Sequence, residues 1–442
     1  MANPFKVIIV GAGPAGLSLA HALTLAKIDF VVLERRETVS IDVGASLVLA
    51  APTLRVMEQF GLLDKLLAIS CELRSNKSLD IKGNELGYTE ALQVMRKNHG
   101  TAPVAFHRAH LLDAIYDGLS PGAKVKVLTG KRIGDITSHD DGVSVRCEDG
   151  TSFDGPSSSA PTVCTARCGG SCARRPRAAG RENEWDPENP YASEYRCLWA
   201  SFPRPEGDGD GDGDAYDTQD HDRSVMYLHG SERSWMFLYE RLPAKTSHRA
   251  SYSAADVDAM GGRFAEYPVT DALKVKGCYA QAMTAGTSDL EEGIARHWYL
   301  GRMVLVGDAC HKFTPNAGLG FNNGVQDIVA LCNGIYKALK ASSDDSLDMA
   351  AVQPVFASYQ SSRKSEIEAH FKQSKHTTRM HAWPSAPHHL MARVMGIDFV
   401  QKIVINYVAS RSISKSPILE YGPDPVTLQG AVPWVHQITP AA

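Results

Sequence analysis

No apolar run in the 442 residues approaches the length needed to cross a bilayer. The first strand-like stretch begins at Lys6, too early for a secretory leader, so the expectation is a chain that starts in the cytosol. Neither sign of charge dominates: 46 basic against 50 acidic residues leave −4, too little field to draw nucleic acid or to hold the whole chain on a membrane. Nine cysteines in a reducing compartment argue for free thiols, not a disulfide frame. Metal-ligand spacing is missing as well. Cys164, Cys168 and Cys172 have no His or further Cys at a usual interval, and Asp208, Asp210, Asp212 and Gly213 begin like a calcium loop whose last position is Gln219 instead of Glu. What is present is an ordinary globular composition, 43% hydrophobic and 22% charged, sufficient for a sizeable core in two closely joined domains.

The chain is organised around residues 6–36. Val7 to Val10 form an unbroken β-branched run, as in a parallel strand buried on both faces. Gly11, Gly13 and Gly16 follow with the G-x-G-x-x-G spacing, which allows a tight turn, close approach of backbone to a pyrophosphate, and close packing of helix on strand. Small and apolar residues from Leu17 to Ala26 suit a crossover helix, and Phe30 to Leu33 the next strand. Glu34 at its tip can accept from ribose hydroxyls, and Arg35 follows it. A dinucleotide site is the expectation.

Gly44 and Ala45 open a turn into an apolar strand through Val48, and a helix spans Pro52 to Phe60. Val104 to Phe106 leads through His107 to Arg108, which opens a helix; an Arg there can clamp a phosphate or merely sit exposed, and spacing does not choose. Lys124–Thr129, Arg132–Ser138 and Val143–Glu148 alternate as three antiparallel strands. Residues 156–177 then lose all periodicity and apolar content. Another reading phase of their codons would spell a buried strand, a glycine turn and a helix start, so a reading-frame slip is one account and a genuine disordered insertion the other. Beyond an acidic low-complexity loop, Glu206–Asp214, strands resume with aromatics Tyr227, Trp235, Phe237 and Tyr239, which suit a substrate wall or plain sheet core. The tail from Gln373 includes an amphipathic helical pattern, Met391–Val408, fit to shield a site, meet a partner or touch a membrane peripherally.

A second constellation follows the buried run Arg302–Val306. Gly307-Asp308 stands at a strand's end, and Thr314 to Gly320 makes a loop before a long helix from Phe321 to Leu339. Together with the glycine triplet, Glu34 and Arg108, the segment GDACHKFTPNAGLGFNNGVQD resembles the FAD-dependent group A monooxygenases of the aromatic-hydroxylase type, in the form found in fungal secondary metabolism. The resemblance covers about residues 5–375. It implies an α/β fold: a Rossmann-like FAD-binding domain with an inserted α+β substrate domain on an antiparallel sheet. The corresponding boundaries are 1–71, 104–185 and 295–372 for the first, 72–103 and 186–294 for the second, and 373–442 for a helical tail.

It further implies that Gly11, Gly13, Gly16, Glu34 and Arg35 hold the ADP half of FAD, with Gly44, Ala45, Val48 and Arg108 further along. Gly307 and Asp308 would meet the ribityl chain, and Gly318, Gly320 and Phe321 the flavin ring. The family's further Asp-Gly motif falls within 156–177 and is absent as written. With one glycine-triplet unit, NADPH or NADH would dock transiently; reduced flavin and dioxygen would form a flavin hydroperoxide that epoxidises or hydroxylates a small apolar or phenolic, prenylated compound. A salicylate-type ring hydroxylase, a flavin-dependent reductase and an inactive FAD-fold protein are the rivals. For a proton donor or orienting group, similar enzymes place a Tyr or Arg of the substrate domain near the reacting carbon; position selects Tyr216, then Tyr195 and Arg196.

Overall fold

The computed structural model describes residues 5–42, 44, 46–138, 142–154, 162–164, 186–187, 189–205, 213–343 and 346–438. A six-stranded sheet runs in the order Tyr299–Leu300, Met303–Leu305, Thr162–Cys164, Lys6–Val10, Asp29–Leu33, Val127–Leu128, with the first pair antiparallel and the rest parallel. Its central strand is buried from Val7 to Val10, as the β-branched run requires. The crossover helix Pro14–Ala26 covers one side and crosses the long helix Leu319–Ala341. From strand Lys6–Val10 the chain moves first to Asp29–Leu33 on one flank and later to Thr162–Cys164 on the other. The carboxyl ends of these strands therefore open on a topological switch point.

The eight-stranded sheet has the order His311–Lys312, Thr284–Ile294, Ala192–Pro203, Arg233–Thr246, Arg223–Leu228, Asp214–Gln219, Ser75–Asp80, Glu85–Thr89. One face packs on helices Ala254–Arg263 and Val275–Ala280 through Leu198, Phe202, Tyr227, Met236 and Leu238. The other carries Cys197, Trp235, Phe237 and Tyr239 toward Val48 and Ala105 of a small sheet, Ser46–Leu49 with Val104–His107 and Cys71–Glu72. The strand His311–Lys312 belongs to the substrate sheet although it follows Asp308 directly, and the helix Met349–Ala382 runs unbroken through residue 373.

Two sequence expectations are corrected. Lys124–Thr129 is no antiparallel strand: Pro121–Lys124 is a helical turn, and Val127–Leu128 joins the parallel sheet beside Asp29–Leu33, whose Val32 and Glu34 amides bond to Lys126 and Leu128 carbonyls. Arg132–Ser138 and Val143–Glu148 pair as expected, as Ile133–Ser138 with Val143–Cys147. Within 156–177, Thr162–Cys164 does supply a buried strand, with Val163 fully enclosed between Ile9 and Val304. Three residues suffice because neighbours on both sides complete the ladder. The remainder of that stretch, Ala45, and the acidic loop through Asp212 lie outside the described residues.

Candidate functional site

Gly11 sits at φ +102, a conformation L side chains rarely adopt, and its amide bonds to the Leu33 carbonyl at 2.9 Å, closing the turn. A Cβ on Gly13 would meet nothing within 4 Å: the space above this turn is open. The crossover helix begins there with no side-chain cap and no acidic residue in its first turn, which leaves the positive end of its dipole unquenched. Glu34 is buried, accepting from the Ala12 amide at 2.8 Å and the Arg36 amide at 3.0 Å. These bonds fix its carboxylate beside the glycine turn. Arg35, the next residue, is exposed.

A second uncapped helix start lies across the opening. Gly318, at φ +63, caps Leu319–Ala341 without a side-chain bond or an acidic first turn. A Cβ on Gly318 would touch Val48 Cβ at 3.4 Å, and one on Gly320 would approach Asp308 Oδ1 at 3.8 Å, so Val48, the loop and Asp308 border one hollow. Arg108 supplies the cation: its aliphatic part packs under Gly44, whose Cβ would sit 3.3 Å from Arg108 Cδ. Burial lowers the Arg108 pKa, and Asp308 opposes that shift. Yet both side chains are open to solvent. Loss of hydration and solvent access coexist where a group lines the wall of a deep cleft.

Beneath the cleft lies a closed polar network. Asp327 accepts from His311 Nε2 at 2.6 Å, the Gly307 amide at 3.0 Å and Arg363 Nε at 2.9 Å, while Arg363 and His370 hold Asn323 Oδ1 at 3.0 and 2.9 Å. Burial acts against charge on Asp327, but His311 and Arg363 keep its pKa low. Cys310, His311 and Asp327 stand together as metal ligands would. The Arg363 guanidinium in contact with Asp327, and a Cys310 thiol that burial holds protonated, make the trio a hydrogen-bonding assembly instead.

A long phosphate-bearing cofactor fits this hollow: open space over a glycine turn, two uncapped helix starts, an accessible Arg and an accessible Asp at a strand's end. The family model described as "FAD binding domain" matches residues 4–155 and 266–359, together more than half of the chain. This chain belongs to that family of flavin monooxygenases. It is 42% identical over 222 residues to the FAD-dependent monooxygenase SAT1 of Stachybotrys chartarum, covering 50% of this chain and 74% of that one. The FAD-dependent monooxygenase verC1 of Penicillium polonicum is 28% identical over 440 residues; the match takes in 97% of this chain and spans 53% of that longer protein. Among solved structures, Klebsiella pneumoniae HpxO complexed with FAD and uric acid superposes with a TM-score of 0.71 at 20% identity, over 95% of this chain and 97% of that one, a likeness of fold. FAD is the cofactor of this flavoprotein.

For the substrate side of the monooxygenase, strand alternation decides which candidates face the cleft. Tyr216 follows Ala215, which is on the cleft-side face, and so points to the opposite face, where it meets Tyr227 edge-on and its hydroxyl reaches Asp271 at 3.5 Å. Arg196 is turned the same way, paired with Asp289 at 3.1 Å and stacked over Tyr252. Both expectations are corrected: their register puts the sheet between them and the cleft. Tyr195 is on the cleft side, buried under Arg379. Among the described residues its hydroxyl has no hydrogen-bonding partner, and burial pushes its pKa up to about 12.

Asn322 was not singled out by sequence reasoning. Its amide donates to the Val48 and Gly318 carbonyls at 2.8 and 2.6 Å and accepts from the Ala50 amide and Thr53 Oγ1 at 3.0 and 2.6 Å. It clips the loop before helix Leu319–Ala341 to strand Ser46–Leu49. The repeated Asn in GFNNG was the available signal.

Proposed function

We propose that this flavin monooxygenase uses NAD(P)H and dioxygen to epoxidise or hydroxylate an apolar, prenylated aromatic or meroterpenoid-type compound. The observation that carries the substrate class is the lining of the cleft-side sheet face. Trp199, Met226 and Leu290 remain partly open there beside Phe237 and Tyr239, and across from Val48. A prenyl chain gains from burial against such a surface at about 25 cal/mol per Å². Gly286 leaves room for the Trp199 ring, which a Cβ there would meet at 2.7 Å.

Gly11, Gly13, Gly16 and Glu34 would hold the ADP half of FAD, Arg108 the pyrophosphate, Asp308 the ribityl hydroxyls, and Gly318, Gly320 and Phe321 the ring's edge. Bound FAD supplies oxygen activation after reduction by the nicotinamide. The chain's own task is to press the substrate against the ring, exclude water and deliver a proton. Tyr195 is the proposed donor, because a protonated, unpartnered hydroxyl is satisfied by a substrate oxygen. The test is NAD(P)H-driven oxygen uptake with a prenylated phenol against the same phenol lacking the prenyl group, with products weighed by mass spectrometry. A gain of one oxygen atom, at least about tenfold faster for the prenylated compound, is expected. Turnover in the absence of oxygen with an artificial electron acceptor, and no oxygenated product in air, would replace this reading with a reductase.

A further inference from the structure

The segment after the long helix Met349–Ala382 docks with its faces reversed. Helices Ala386–Met395 and Asp398–Val404, continued by Ile405–Ala409 and Ser410–Ile413, lie over hairpin Ser75–Thr89 and helix Ala91–His99. Their attachment is polar. Asp398 accepts from Thr89 Oγ1 at 2.9 Å and the Glu90 amide at 3.1 Å, and Asn98 donates to Asn406 and Ser410, both at 2.9 Å. Gly87 and Gly396 meet backbone to backbone, where a Cβ on Gly87 would come within 2.6 Å of the Gly396 carbonyl. A surface helix ordinarily turns its apolar stripe inward. Here Leu390, Val394 and Ile397 recur at helical spacing on the outside, followed by Phe399 and Tyr407, and Phe399 is 71% exposed.

We propose that this outward face docks on an anionic lipid membrane surface. Charge selects the occupant. Across residues 386–415 the basic side chains are Arg393, Lys402, Arg411 and Lys415 against one acid, Asp398, in a chain whose overall balance is −4. Asp398 is already paired with Lys402 at 2.7 Å, and Arg393, Arg411 and Lys415 are exposed. Apolar side chains flanked by cations suit the boundary between acyl chains and acidic headgroups. A second copy of the chain fits less well, because a two-fold contact would bring the same basic surplus from both sides together. The mode is lying on the membrane: among the described residues no helix is long and apolar enough to cross one. The inference is independent of the substrate reading.

The test is flotation of the full chain with vesicles of phosphatidylcholine, alone or mixed with phosphatidylserine. Flotation with the mixed vesicles is expected, weaker with phosphatidylcholine alone and weaker at high salt. The double variant Phe399→Asp, Tyr407→Ser should bind at least about tenfold less, since both rings are exposed and neither holds the segment in place. Circular dichroism and bound-flavin absorbance identify an intact variant; should that one misfold, Arg393→Ser with Arg411→Ser should likewise weaken binding to mixed vesicles. Absence of flotation, equal flotation of intact variants, or a dimer that the double variant splits while vesicles stay unbound would overturn the proposal.

Discussion

Tyr195 illustrates how a single hydroxyl separates a structural role from a chemical one. It is 1% exposed, its ring lies 5.5 Å from the Arg379 guanidinium carbon, and its oxygen has no partner among the described residues. A buried, unbonded hydroxyl costs about 1–3 kcal/mol. Tyr195→Phe should therefore leave the fold intact and raise stability by about 1 kcal/mol in urea unfolding. If the hydroxyl serves a substrate oxygen, kcat should fall at least about tenfold while FAD content is unchanged. Unchanged kcat removes Tyr195 from the chemistry. Tyr216→Phe is the control: its hydroxyl meets Asp271 on the far side of the sheet, so steady-state rates should not move.

Among elements, the start of helix Leu319–Ala341 is held by one amide side chain. Asn322→Ala would remove the acceptor of the Ala50 amide and of Thr53 Oγ1, together with a donor to the Val48 and Gly318 carbonyls, and cost about 2–3 kcal/mol, with weaker retention of FAD; urea midpoints with and without added FAD measure both. Asn322 also shows what was hidden from sequence. Gly11, Gly13 and Gly16 announce a strand-to-helix turn through local spacing, and Gly307-Asp308 is readable as a strand's end because a buried strand precedes it. The partners of Asn322 lie some 270 residues upstream, at Val48, Ala50 and Thr53, and no spacing rule joins them. That Tyr216 and Arg196 face away from the cleft was hidden for a related reason: one residue's change of parity moves a side chain to the other face, and parity follows from pairing that the strand itself does not encode. Val127–Leu128 alternates like a hairpin strand yet is claimed by the backbone of Asp29–Leu33, while Thr162–Cys164 is too short to show any period.

At the scale of the whole molecule, buried histidines tie its parts together in neutral form, and this fixes its response to acid. His21 in the crossover helix bonds the Ile115 carbonyl at 2.8 Å. His107 joins the domains: its Nε2 meets Asp42 at 2.7 Å and its Nδ1 accepts from Trp235 at 3.3 Å. That pairing needs the proton on Nε2 alone. His99 packs against Trp434 of the C-terminal segment, and neither ring nitrogen is bonded among the described residues. Burial lowers all three pKa values, that of His99 to about 4; at His107 burial outweighs the upward pull of Asp42. A histidine whose folded pKa is depressed binds fewer protons in the native state than in the unfolded chain, so stability is complete above about pH 6.5 and declines as pH falls. For His99 alone the decline reaches about 3 kcal/mol by pH 4, since each pKa unit is worth about 1.4 kcal/mol. Melting temperature should therefore drop steadily between these limits, before most carboxylates titrate. His99→Leu, which removes the proton acceptor and keeps an apolar group against Trp434, should flatten that slope when thermal melts at pH 7 and pH 5 are compared. An unaltered slope would show that the acid response lies with other groups.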